Sequence, residues 1–155
     1  MNKISKNIYL KVPKTYEEAL NSIDIKNIVV MGGIVPGQTT DTVASIMAEY
    51  TNAELLLIAT SVDGIYTSDP NVNIKAKKFD TINIKKIIDM SQNLNLKAGS
   101  KSPIDPIACK IIERSKINTI IYDGKDISSL KDIISNKKSI FEKKYCCGTI
   151  IEFEK

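Results

Sequence analysis

Histidine is absent from the 155-residue chain. That absence excludes Ser-His-Asp and Cys-His nucleophile systems, a histidine general base and any histidine metal ligand. Chemistry here rests on carboxylates, lysines, hydroxyls, backbone amides or a borrowed cation. Tryptophan is also missing, and Arg114 is the single arginine among 22 basic residues. The lysines are spread along the chain instead of forming a stripe, so a net charge of +4 argues little for nucleic-acid binding. The three cysteines, Cys109 and the adjacent Cys146 and Cys147, form no C-x-x-C pattern. Neighbouring cysteines suit disulfide geometry poorly, and unpatterned thiols fit a reducing compartment. No apolar run approaches the roughly 18 residues of a membrane span, and the N-terminus lacks the apolar core of a signal peptide. A cytoplasmic, soluble protein without membrane contact is expected. Glycine is scarce too: seven in all, and none before Gly32.

What is present fits one folded domain over residues 1–155. At 43% hydrophobic and 26% charged, the chain is too apolar and too balanced to be disordered. Short apolar runs alternate with helical patterns. Ile8–Val12 alternates like a strand, and Thr15–Ser22 reads as a helix with a Thr15…Glu18 capping box. Asn27–Met31 reads as a buried strand stopped by Gly32-Gly33, followed by a helix from about Asp41 to Tyr50. Glu54–Ala59 is a second buried strand, Thr119–Tyr122 a third and Cys147–Phe153 a last one. Helices are expected near Ile84–Ser91, from the Asp105-Pro106 cap to about Ser115, and from Asp126 through Ile134. Apolar strands alternating with helices imply an α/β fold, a mostly parallel sheet covered on both faces.

Three stretches carry candidate chemistry. MGGIVPGQTTD (31–41) is a strand exit with glycines and hydroxyls leading into a helix. Free amides at a helix start favour anions, and there the dipole favours an ionised Asp41. An ordinary β–α turn with Thr or Asp as N-cap explains the same pattern. The spacing matches neither the P-loop nor G-x-G-x-x-G. ATSVDGIYTSDP (59–70) leaves the carboxyl end of a strand, where ligands bind in open α/β sheets. Thr60 offers a hydroxyl there and Tyr66 a flat face for a base; Tyr66 as a lid on the core is the plainer alternative. LKAGSKSPIDP (96–106) has Gly99 and Ser100 for close approach, with Lys97 or Lys101 as possible phosphate partners or simply solvated lysines. Lys137-Lys138 and Lys143-Lys144 read as solvated surface.

Taken in order, MGGIVPGQTTDTVASIMAEY, SVDGIYTSDP, KKFD and AGSKSPIDPIACKIIERSKINTIIYDG resemble the archaeal-type UMP kinases of the amino acid kinase family. The resemblance covers roughly residues 8–153. It implies a three-layer α/β/α fold and Mg²⁺-dependent transfer of the ATP γ-phosphoryl group to UMP, giving UDP for pyrimidine nucleotide synthesis. It further implies a homo-oligomer, commonly a hexamer. By position, Ile34, Val35, Pro36, Gly37, Gln38, Thr39 and Thr40 match the segment lining the UMP site. Thr60, Tyr66 and Asp69 match residues holding the ATP nucleoside, and Asp41 the carboxylate that organises the catalytic cations. No protein metal site is implied. Such chemistry suits a chain without histidine, because phosphoryl transfer is mostly positioning and charge neutralisation.

The sequence departs from the family pattern in three ways. Many relatives carry Thr-His at Ile34-Val35 and His at Gln38. Many carry Gly at Lys116, where a left-handed lysine would cost roughly 1 kcal/mol. The family's glycine loops on the transferred phosphates precede the matched region. The expectation is therefore a partial domain: the ATP-nucleoside side over about 54–155 and part of the acceptor side over about 1–53. A separate or upstream N-terminal half would complete it. The alternative is a non-catalytic nucleotide-binding or assembly module of the same ancestry.

Overall fold

The strands are short and rich in β-branched residues, which fit a pleated, covered surface. In the computed structural model, which describes residues 11–25, 28–94, 104–143 and 147–154, four of them form one sheet. They are β1 (Leu56–Thr60), β2 (Thr81–Asn83), β3 (Thr119–Asp123) and β4 (Thr149–Glu152), in the order β1-β3-β4-β2. β1 runs parallel to β3 and β2 parallel to β4, while β3 and β4 are antiparallel. The sheet is thus mostly parallel.

Side chains alternate between its faces, as the pleat requires. Leu56, Ile58, Ile82, Ile121 and Ile151 face one core. There they meet α2 (Thr40–Tyr50), α3 (Ile84–Leu94) and α4 (Pro106–Ser115). Ile120, Tyr122 and Ile150 face the other, against α5 (Ile127–Ser135) and α6 (Lys137–Lys143). Helices on both faces make the three layers expected. The buried Ile84, Ile87, Ile88 and Ser91 of α3 recur at helical spacing and form its inward stripe. α4 begins as read, with Asp105 as N-cap and Pro106 in the first turn, and ends on Lys116 in the left-handed region at φ 53° and ψ 29°. α1 (Tyr16–Ile25) starts at Thr15, whose hydroxyl accepts from the Glu18 amide at 3.1 Å, while Glu18 accepts from Lys14 N at 2.7 Å.

Several expectations change. Residues 29–33 adopt no regular structure, and Ile28 makes an isolated bridge. Ile28 is 43% and Val30 38% exposed, so this run is not a buried strand. An apolar run becomes one only where neighbours cover it, and no ladder among the described residues does so. β2 lies where no strand is expected and is a true strand because β4 pairs with it; α6 likewise lies where no helix is expected. β1 ends at Thr60, with Ala59 exposed, and β4 is confined to Thr149–Glu152. The strand expected at 8–12 and the loop with Lys97, Gly99, Ser100 and Lys101 fall largely outside the described residues.

Candidate functional site

Short connectors join the end of α2 to β1 and the end of α4 to β3, so both helices run back along the sheet. Their N-termini thereby reach the carboxyl edge of β1 and β3, and there they meet. Gly37, at φ 85°, permits the turn in which Gln38 N donates to Val35 O at 3.2 Å. Thr39 follows as the α2 N-cap, its hydroxyl oxygen accepting from Thr42 N at 3.2 Å. The same hydroxyl donates to Asp105 Oδ2 at 2.7 Å. The Thr42 hydroxyl, fully buried, donates to that oxygen as well, and Ile107 N donates to Asp105 Oδ1 at 3.1 Å. One carboxylate therefore caps α4 and ties it to the start of α2. Burial pushes the Asp105 carboxyl up, but the Thr42 and Thr39 hydroxyls and the Ile107 amide outweigh it and leave it lowered.

Asp41 sits half-buried in the first turn of α2. Its carboxyl is raised, first by burial and further by the Asp105 charge, with only partial relief from the Asp105 backbone N–H. This corrects the expectation that the helix dipole would dominate: desolvation and a second carboxylate win. Beneath both, Cys109 is fully buried, and desolvation pushes its thiol to about 12.

The other candidate acceptor residues lie on the surface leading to α2. Ile34 and Gln38 are half-buried, while Val35, Pro36, Gly37, Thr39 and Thr40 are exposed. Thr40 has no side-chain hydrogen-bond partner among the described residues. Thr39, by contrast, is committed to its cap and to Asp105. Gln38 Oε1 accepts from the Tyr16 hydroxyl at 3.0 Å.

The second constellation leaves β1. Thr60 folds its hydroxyl onto Val62 O at 2.7 Å. The Tyr66 hydroxyl donates to Asp63 Oδ1 at 2.6 Å, and Lys78 Nζ reaches Asp63 Oδ2 at 3.2 Å. Burial opposes ionisation of Asp63, yet Tyr66 and Lys78 together hold its carboxyl low; the same hydrogen bond raises Tyr66. Asp69 Oδ1 accepts from Asn71 N at 2.8 Å, a local turn that leaves the exposed carboxylate at the loop surface. The loop is clasped rather than loose: Phe79 N donates to Ile65 O at 2.9 Å and Thr67 N to Lys77 O at 2.9 Å. The buried Thr149 hydroxyl staples it to β4, accepting from Ile65 N at 2.9 Å and donating to Phe79 O at 2.6 Å. Gly64 is required there, because a Cβ would lie 2.4 Å from Thr149 Oγ1.

Asp105 was read only as a cap. Its second role depends on hydroxyls 63 and 66 residues away, contacts with no local signal. An open cavity of about 410 Å³ lies beside the site, lined by apolar residues including Ile23, Val29, Met31, Val43 and Met47, with Gly32 and Thr40 at its polar end. Thr60, Tyr66 and Asp69 do not line it.

Fold and candidate site together define an α/β protein with two helix N-termini joined through Asp105 and, separately, a clasped loop following β1. The amino acid kinase family pattern matches residues 3–123, and the chain belongs to that family. It is 48% identical over 150 residues to a uridylate kinase from Methanosarcina acetivorans, covering 95% of this chain and 63% of that one. A uridylate kinase from Methanococcoides burtonii is 52% identical over 122 residues, covering 79% and 52%. The crystal structure of a uridylate kinase from Archaeoglobus fulgidus superposes with a TM-score of 0.74 at 34% identity, covering 95% of this chain and 62% of that one. The chain thus spans between half and two-thirds of the length of these relatives. Among the described residues no helix is long and apolar enough to cross a membrane.

Proposed function

We propose that this chain carries the nucleotide sites of a UMP kinase. An oxygen of the UMP phosphate attacks the ATP γ-phosphorus, the bond to the β,γ-bridging oxygen breaks, and UDP and ADP result. The observation that supports this best is the junction of α2 and α4, which gathers two helix N-termini beside the 34–40 run, as an anionic acceptor needs. Ile34 to Thr40 hold UMP. Thr40 and the backbone amides donate to it, and Thr39 acts through the cap. Thr60, Tyr66 and Asp69 hold the ATP nucleoside at the end of β1. A phosphate acceptor is already anionic, so no strong general base is required.

Mg²⁺ takes one or two carboxylates plus substrate phosphates. Asp41 fits that requirement, since Asp105 already has both oxygens engaged. Asp41 would hold the cation that comes with ATP, and that cation would supply charge neutralisation on the phosphates. Polypeptide equivalent to the relatives' remaining length would supply the phosphate clamp. A homo-oligomer, a hexamer by family resemblance, is the expected assembly, and light scattering reads it directly.

The test is a coupled assay for UMP-dependent ADP formation, run on the chain alone and with the preceding segment of a longer relative. Calorimetry with ATP runs alongside. ATP binding by the chain, with turnover on UMP once the segment is added, is expected. ATP binding without turnover in any combination would favour the non-catalytic module, and turnover on an amino acid instead of UMP would overturn the assignment.

A further inference from the structure

Tyr16 opens α1 and Tyr50 closes α2, and their rings meet edge-on, with centroids 6.0 Å apart at 82°. The Tyr16 hydroxyl reaches past α2 to Gln38 in the loop before it, 22 residues along the chain, donating to Oε1 at 3.0 Å. A side-chain amide is nearly symmetric in shape; here the Tyr16 hydroxyl donates, so it holds the oxygen end and leaves the nitrogen end for another acceptor. Gln38 is also held through its backbone, N donating to Val35 O at 3.2 Å. Its Nε2 has no partner among the described residues. Elsewhere in the loop, Ile34, Val35, Pro36 and Gly37 offer no side-chain donor, and the Thr39 hydroxyl is occupied by its cap and Asp105. Gln38 and Thr40 are therefore the loop's available side-chain donors.

We propose that Tyr16 is a positioning residue for the acceptor nucleotide: it fixes the Gln38 amide so that Nε2 donates to an oxygen of the acceptor. The inference rests on reading 34–40 as the acceptor loop. Tyr16 suits the task because burial and the neighbouring Tyr50 raise its pKa, so it stays a protonated donor through neutral pH. Its ring contact with Tyr50 gives the donor a rigid base.

Calorimetric affinities for UMP, uridine and ATP, with melting temperatures, test this on the wild-type chain and four variants: Tyr16→Phe, Gln38→Ala, Gln38→Glu and the Tyr16→Phe/Gln38→Ala double variant. Loss of one orienting hydrogen bond is expected to weaken UMP binding roughly five-fold in Tyr16→Phe. ATP affinity should be unchanged. In the Gln38→Ala background Tyr16→Phe should have no further effect. Gln38→Glu keeps the acceptor for Tyr16 but removes the donor, and should bind UMP more weakly than Gln38→Ala. A penalty on UMP alone places Nε2 on the phosphate; a penalty on uridine as well places it on the nucleoside. Equal UMP affinity in wild type and Tyr16→Phe overturns the proposal, as does a penalty shared by ATP or persisting without Gln38. If wild type binds ATP but no UMP even with the preceding segment of a longer relative present, the acceptor reading of the loop itself fails.

Discussion

Lys116 holds φ 53°, a conformation that costs an L-residue with a Cβ roughly 1–2 kcal/mol. It does so because its N–H closes α4 on Ile112 O at 2.9 Å, in a C-terminal cap conformation that glycine usually fills. Lys116→Gly should therefore stabilise the fold by about 0.5–1 kcal/mol once glycine's extra unfolded-state entropy is subtracted. Urea midpoints at constant slope measure it. At Asp126 the Ser128 and Ser129 hydroxyls hold the carboxyl at about 2, below its ordinary 3.8. A lowered folded pKa contributes stability above the unfolded value and loses it as pH falls through the folded one. Melting of Asp126→Asn against wild type should show a full gap above pH 3.8 that closes toward about pH 2. Both positions were legible in sequence, since caps are local chemistry. The tie of Asp105 to Thr39 and Thr42 was not, because it joins residues that only the folded sheet brings together.

Elements divide the same way. α4 could be read end to end because Asp105-Pro106 starts it, apolar spacing sustains it and the chain turns at Lys116. β2 could not, since Thr-Ile-Asn has no pattern of its own and owes its state to β4. The opposite error occurred at 28–31, where Ile, Val and Met look like a buried strand but join no ladder among the described residues. β4 meets β3 at a place that admits no side chain: a Cβ on Gly148 would lie 2.2 Å from Ile121 O. Gly148→Ala must push the two strands apart and should cost about 2–3 kcal/mol, read as a lower urea midpoint. Ala substituted at Gly32, which has nothing within 4 Å of such a Cβ, is the contrasting control.

Across the whole molecule, three layers were readable because apolar strands alternating with capped helices leave few arrangements, while the family was readable only through the motifs at 31–50, 61–70 and 98–124. The candidate site was expected at the carboxyl edge of β1 from the same alternation. What escaped was how much of that site is already engaged internally: Thr39 on Asp105 and Tyr66 on Asp63. These bonds pre-set the loops, so fewer torsions remain to be ordered when a ligand arrives.

Cys109 turns this architecture into a clock. Its sulfur is sealed behind the α2–α4 junction, and with a pKa of about 12 almost none of it is thiolate at neutral pH. An alkylating reagent can reach it only during openings of that seam, so its labelling rate times those openings. Peptide-resolved mass spectrometry should find Cys109 modified far more slowly than the half-exposed Cys147. Labelling at the pace of an open thiol would show the seam to be loose. A nucleotide that settles on the two helix N-termini should slow the clock further, by mass action on the closed state. Occupancy could then be followed in this chain without any turnover at all.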